Sequence, residues 1–233
     1  MDGILDWVDE RIEVRSIWAV LMERHIPLGV NWWYTLGSAT LFVFMLQAVT
    51  GMFLSMYYSP SPDHAYDSIV FIMDEVIFGR VVRGLHHWGA SAMVVLVTAH
   101  MLRVFFMGAY KYPREMTWMV GVVLLLLTLG FGFTGYLLPW DEKAYWATTV
   151  GTNMAGTVPF AGDFLFKVTR GGVELGAVTL TRFYGLHMLV LPALTLVFVG
   201  IHVFMVVKQG ISAPPGLQEA GEEGTLEVPR PRF

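Results

Sequence analysis

The chain has 233 residues, 55% of them hydrophobic and only 15% charged, with a formal net charge of −4 and no cysteine. An ordinary soluble domain is about 25% charged, so this composition and a mean hydropathy of +0.56 point away from one. The missing cysteines exclude disulfides, cysteine-ligated iron–sulfur clusters and thioether-linked prosthetic groups on this chain, and the mild charge suggests no nucleic-acid partner.

In chain order, residues 1–30 include "DGILDWVDERIEVRSIWAVLMERH", which is amphipathic and mixed in charge. It lacks the basic start and short apolar core of a signal peptide and reads as a helix lying on the membrane surface. Residues 31–210 hold four stretches that could span a bilayer: Trp32 to Tyr58, Val81 to Gly108, Trp118 to Leu138 and Phe183 to Val207. Each meets the requirement of about 20 predominantly apolar residues. Pro192 predicts a kink in the fourth, which a spanning helix tolerates. The loop between spans one and two carries Asp63, Asp67, Asp74 and Glu75 with Arg80 and Arg83 near its end, the loop between two and three carries Lys111 and Arg114 with Arg103 near the membrane end, and Lys208 follows span four. This bias puts the second loop and both termini on the cytoplasmic side. Between spans three and four, Trp140 to Val150 reads as a short interfacial helix. The tail, residues 211–233, is rich in Pro, Gly and Glu and reads as flexible. The expected fold is an all-α integral membrane bundle of four transmembrane helices.

Ionisable side chains at membrane depth are costly and therefore point to function. His86 and His100 are 14 residues apart, about 3.9 helical turns and about 21 Å of rise. They share one face at two depths. His87 lies 13 residues before His100, about 3.6 turns, and points to nearly the opposite side. His187 and His202 are 15 apart, about 4.2 turns, again roughly one face. Spans two and four run in the same direction, so His86 can sit level with His187 and His100 with His202. Two imidazoles are too few for a structural zinc site, which takes four ligands. They suit haem, which brings four in-plane nitrogens and takes axial histidines.

Gly37 and Gly51 on span one, and Gly121 and Gly135 on span three, are each 14 residues apart. Glycine lets a backbone approach a flat macrocycle closely. Small-residue packing between spans is the alternative, but two glycine pairs at the histidine interval favour haem clearance. Arg83 and Arg103 each lie three residues from a histidine on the ligand side; they serve haem propionates or snorkel to headgroups. His25 and His64 read as surface residues, and His87 as a packing or hydrogen-bonded histidine.

The stretches "RGLHHWGASAM", "AHMLRVFFMGAYKYPREMTW", "GVVLLLLTLGFGFTGYLLPWD" and "AVTLTRFYGLH" make the chain resemble the cytochrome b family, most closely its cytochrome b6 branch, from about Val30 to Pro214. The 15-residue histidine interval and the short chain after span four resemble the split form, whose remaining helices lie on a subunit IV. The resemblance implies a di-haem bundle holding two bis-histidine haem b groups. His86 and His187 would ligate the low-potential haem on the positive side, and His100 and His202 the high-potential haem on the cytoplasmic side. Gly37, Gly51, Gly121 and Gly135 match haem-packing glycines, and Arg83 and Arg103 match basic residues near propionates. Tyr136, Trp146, Ala147 and Thr148 match the wall of a quinol-oxidation site, although aromatics there also anchor at the interface.

The implied activity is quinol oxidation with electron transfer across the membrane to a quinone, coupled to proton translocation. The implied partners are a subunit IV-like protein, a Rieske iron–sulfur protein and a c-type cytochrome, in a dimeric complex. A bacterial cytoplasmic membrane is the expected location, with a thylakoid-type membrane the alternative. Two departures stand out. The b6 pattern "FYCLG" is "WYTLG" here, so Thr35 replaces the cysteine and no covalent haem c is expected. Val207 replaces the arginine of the b6 Arg-Lys-Gln pattern, before Lys208 and Gln209. The family's "PEWY" motif is absent and would belong to subunit IV. Two rival readings are a di-haem dehydrogenase anchor working without bifurcation, and a non-redox membrane protein using histidines as a proton path.

Overall fold

The computed structural model describes residues 2–22 and 26–215. His25 and most of the expected flexible tail lie outside them. The described residues contain only helices and connecting turns apart from an isolated bridge residue at Pro27. In order these are α1 (Asp2–Ile12), α2 (Val14–Met22), α3 (Leu36–Ser55), α4 (Ala65–Asp74), α5 (Gly79–Phe106), α6 (Glu115–Leu137), α7 (Glu142–Gly156), α8 (Gly162–Arg170), α9 (Ala177–Gly185) and α10 (Leu191–Gln209). A 3-10 turn at Trp32–Thr35 leads into α3, and a π-turn at Leu186–Val190 joins α9 to α10.

Four helices are long and apolar enough to cross a membrane: Trp32–Ser55, Gly79–Phe106, Glu115–Leu137 and Ala177–Gln209. They are apolar nearly all round, and Phe42, Val95, Leu126 and Phe204 project outward with at least 62% of their surface exposed. Such a surface belongs in hydrocarbon rather than water. α3 packs chiefly on α5, and α6 chiefly on α10. The tightest apolar cluster lies at one end of the bundle, where Ala65, Leu137, Leu180 and Phe183 are buried beneath Tyr58, Leu138 and Trp140.

Several boundaries differ from the sequence expectation. The N-terminal segment is two helices rather than one, broken at Glu13 with φ of 51°. Span one starts in the 3-10 turn, where the Asn31 side chain caps by accepting from the Trp33 amide at 3.1 Å. The acidic loop between spans one and two contains α4, whose run "AYDSIVFIMD" is too short to signal a span. The interfacial helix is shifted to Glu142–Gly156. Trp140 turns left-handed with φ of 54°, and the Asp141 carboxylate then accepts from the Ala144 amide at 2.8 Å, an N-cap that starts α7. The helix α8 was not expected, and span four begins at Ala177 rather than Phe183. Just before Pro192, where the sequence predicts a kink, the helix widens into the π-turn, closed by the Leu191 amide on the Leu186 carbonyl.

A paired-histidine site at two membrane levels

The spans bring the four histidines together in two facing pairs. His86 and His187 have ring centroids 6.3 Å apart with planes at 74°. His100 and His202 are 6.5 Å apart with planes at 78°. An iron between two imidazoles has metal–nitrogen bonds of ~2 Å, with each ring centre about 1 Å behind its nitrogen, so the centroids stand about 6 Å apart. Both pairs have that separation. Among the described residues no group of three or more metal-ligating side chains occurs. The donor set therefore fits a centre that supplies its own equatorial ligands.

Each glycine singled out by spacing faces one of these rings. A Cβ on Gly37 would lie 3.1 Å from His100 Cε1, and one on Gly51 3.2 Å from His86 Cε1. On α6, a Cβ on Gly135 would lie 2.6 Å from His187 Cε1, and one on Gly121 3.6 Å from His202 Cε1. The sequence expectation is clearance for a macrocycle; in the structure these glycines face the imidazole edges. The approach is tight at three positions and ordinary van der Waals contact at Gly121.

Two threonines missing from the sequence reading orient the first pair. Thr50 Oγ1 lies 2.9 Å from His86 Nδ1, and Thr134 Oγ1 lies 3.1 Å from His187 Nδ1. Each hydroxyl donates its one proton back along its own helix, Thr50 to the Leu46 carbonyl at 2.7 Å and Thr134 to the Gly130 carbonyl at 2.8 Å. Each threonine oxygen therefore accepts from an Nδ1–H. The tautomer so fixed leaves Nε2 with a free lone pair, the arrangement a metal ligand needs. The only trace in the sequence is a repeated dipeptide, Thr50-Gly51 and Thr134-Gly135. At the second level His202 Nδ1 is buried with no hydrogen-bond partner.

Cations gather beside the second level. The Arg103 guanidinium lies 3.5 Å from the centre of the Tyr34 ring, over its face. Arg103 Nε and Nη2, Arg114 Nε and the Tyr34 hydroxyl are all buried without a hydrogen-bond partner. Unpartnered buried donors are rare, and donors of this kind suit an anionic group. Arg103 is among the cations expected near a haem, whereas Arg114 carries only a topology signal in the sequence. At the first level Arg83 directs Nη1 toward the Met73 sulfur on α4 at 3.6 Å. His64 is exposed. His87 is exposed on the outer face of α5, touching Trp88 edge-on; it is turned away from the pairs and is not packed inside the bundle.

The four residues expected to wall a quinol site divide into two groups. Tyr136, Trp146 and Ala147 are exposed. Thr148 is only 1% exposed and packs inward. The i,i+2 step along α7 explains this, because it turns Thr148 away from Trp146. Below them α7 is locked to α8 by Arg170, which is 6% exposed. Its guanidinium donates to Thr152 Oγ1 at 2.7 Å, the Thr149 carbonyl at 3.0 Å, Asn153 Oδ1 at 3.1 Å and the Val173 carbonyl at 2.8 Å.

Comparison with known proteins gives the family. Residues 21–210 match the family model described as cytochrome b/b6/petB. The chain is 45% identical over 222 residues to a menaquinol:cytochrome c reductase cytochrome b subunit of Geobacillus thermodenitrificans, covering 92% of this chain and 99% of that protein. It is 44% identical over 214 residues to a cytochrome b6 of Gloeobacter violaceus, covering 92% of this chain and all of that one, 100%. A solved chain of a hyperthermophilic respiratory Complex III superposes with a TM-score of 0.85 at 33% identity, over 97% of this chain and 59% of that chain. With four apolar spans and relatives matched along nearly their whole length, the chain is a multi-pass integral membrane protein that belongs to the cytochrome b/b6 family.

Proposed function

We propose that the chain is the di-haem cytochrome b subunit of a quinol-oxidising complex. The observation that carries this is the pair of facing imidazoles, at 6.3 Å and 6.5 Å, repeated at two levels. His86 and His187 would hold the low-potential haem b, and His100 and His202 the high-potential one. Haem so bound supplies one-electron chemistry between ferric and ferrous iron. Thr50 and Thr134 keep their histidines in the ligating tautomer. Arg103 and Arg114, with the Tyr34 hydroxyl, offer donors to propionates at the second level, and Arg83 does so at the first.

The quinol face comprises Tyr136, Trp146 and Ala147, with Thr148 packing behind them. The complex oxidises quinol on the positive side. One electron goes to a Rieske iron–sulfur protein and a c-type cytochrome, and the other crosses the membrane toward a quinone on the cytoplasmic side, coupled to proton translocation. A subunit IV-like protein completes the quinol site, and the complex works as a dimer. Thr35 donates its hydroxyl to the Trp32 carbonyl at 2.7 Å and offers no sulfur for a covalent haem. In the purified complex, a reduced-minus-oxidised visible spectrum should show two b-type haems per chain. A preparation with no b-type band would overturn the proposal. Co-purification with a dehydrogenase in place of a Rieske protein would overturn the bifurcating part alone.

A further inference from the structure

The two ligand intervals do not match, and the structure shows where the difference goes. On α5 the histidines are 14 residues apart, and they face Gly51 and Gly37 on α3, also 14 apart. On the other side of the bundle, Gly121 and Gly135 on α6 are 14 apart, yet they face His202 and His187, which are 15 apart. In a uniform α-helix one extra residue turns a side chain by about 100° and lifts it by about 1.5 Å. The two pairs nonetheless have nearly the same separation and ring angle, 6.3 Å with 74° and 6.5 Å with 78°.

The span contains one π-turn, Leu186–Val190, whose closing bond reaches back five residues, from the Leu191 amide to the Leu186 carbonyl. A π-turn is a single-residue expansion of an α-helix, and such turns are often found at functional sites. Its position has a physical cause. Pro192 has no amide to give the Met188 carbonyl, and in a regular α-helix its ring would press on that carbonyl. Widening the helix just upstream therefore costs less here than elsewhere on the span. His187 lies inside the widened turn, with Met188 to Val190 of that turn on the side toward His202, which lies beyond it.

We infer that the π-turn Leu186–Val190 is a register device: a one-residue insertion, seated against Pro192, that keeps His187 and His202 in step with His86 and His100. The inference rests on the haem reading above and deepens it. It makes residue number within the turn, rather than the identity of its side chains, the property that matters. Leu189, 71% exposed, points away from the bundle and can be removed without emptying a contact between the histidines.

The test compares two one-residue changes in the assembled complex, with haem b per chain read from the pyridine haemochrome spectrum and chain level from an immunoblot. Deleting Leu189 reduces the interval to that of α5 and removes the residue that widens the turn. It should keep two haems per chain, with a shifted low-spin EPR signal for the His187 haem as that ring re-aims. Inserting one alanine after Val197, whose side chain is 59% exposed, leaves the turn in place and rotates His202 away, so haem content should fall by half. The inference is overturned if the deletion loses a haem, if the deleted chain fails to accumulate while the inserted one does, or if the insertion keeps both haems. Wild-type complex without two b haems would instead sink the haem reading itself.

Discussion

The four glycines opposite the histidines are not equivalent, and the differences are measurable. Gly135→Ala would place a Cβ 2.6 Å from His187 Cε1, whereas Gly121→Ala would place one at 3.6 Å from His202 Cε1. Overpacking of the first kind costs about 1–3 kcal/mol. Gly135→Ala should therefore lose the His86/His187 haem from the purified complex, while Gly121→Ala keeps both, as counted by haem per chain. The threonines allow a finer test. Thr134→Val preserves shape but removes the acceptor for His187 Nδ1, and outer partners of this kind are worth roughly 10–100-fold in metal affinity. Haem should remain at lower retention and with a shifted midpoint in redox titration; an unchanged midpoint would mean that the hydrogen bond sets nothing. His87→Ala should leave both haems, since that ring is exposed and turned outward, whereas His86→Ala should remove one.

At the scale of elements, the platform α7–α8–α9 depends on one buried guanidinium. Arg170 closes α8, grips α7 through three polar groups, and its own carbonyl accepts from the Thr179 hydroxyl of α9 at 2.6 Å. Hydrogen bonds to a charged group are worth about 1.5–3 kcal/mol each. Arg170→Gln should lower the temperature at which quinol oxidation is lost while leaving the haem spectrum intact, and Arg170→Lys should not rescue it, because one ammonium cannot reproduce the fork. Tyr58 makes a related tie beside the first level, donating its hydroxyl to the Leu138 carbonyl at 2.6 Å. Burial, reinforced by Tyr184, raises its phenol well above the ordinary value. The folded protein thus favours the protonated phenol. This contribution is intact below an unfolded pKa of about 10 and falls away at higher pH. Tyr58→Phe should flatten that alkaline loss in thermal melts of the complex.

The whole molecule was readable wherever periodicity carried the signal. Four apolar runs gave four spans, and helical phase alone separated His86 from His87. What escaped the sequence has physical reasons. A threonine on a spanning helix usually satisfies itself on its own carbonyls, so Thr50 and Thr134 gave no sign that they also hold a histidine. The segment Gly162–Arg170 mixes glycine, charge and aromatics and gives no clear helical signal, and its Arg170 contact to α7 joins residues 18 apart in the chain. The unequal intervals of 14 and 15 residues were visible in the sequence, but the turn that reconciles them depends on backbone geometry. Because no native cysteine exists, topology can be tested with single introduced thiols. Lys111→Cys should react from the cytoplasmic side and Val173→Cys, 83% exposed at that site, from the other.

One consequence of the helix pairing concerns assembly. The hairpin α3–α5 and the hairpin α6–α10 are each internally packed, and every facing pair takes one imidazole from each. Neither hairpin alone holds both imidazoles of a pair, so haem bound as proposed would act as two rivets joining the two hairpins. A chain cut between Gly108 and Arg114 should yield two fragments that are each colourless and recover their spectrum only when co-expressed. Starved of haem, the protein should part along this seam first, exposing that loop to protease before any other.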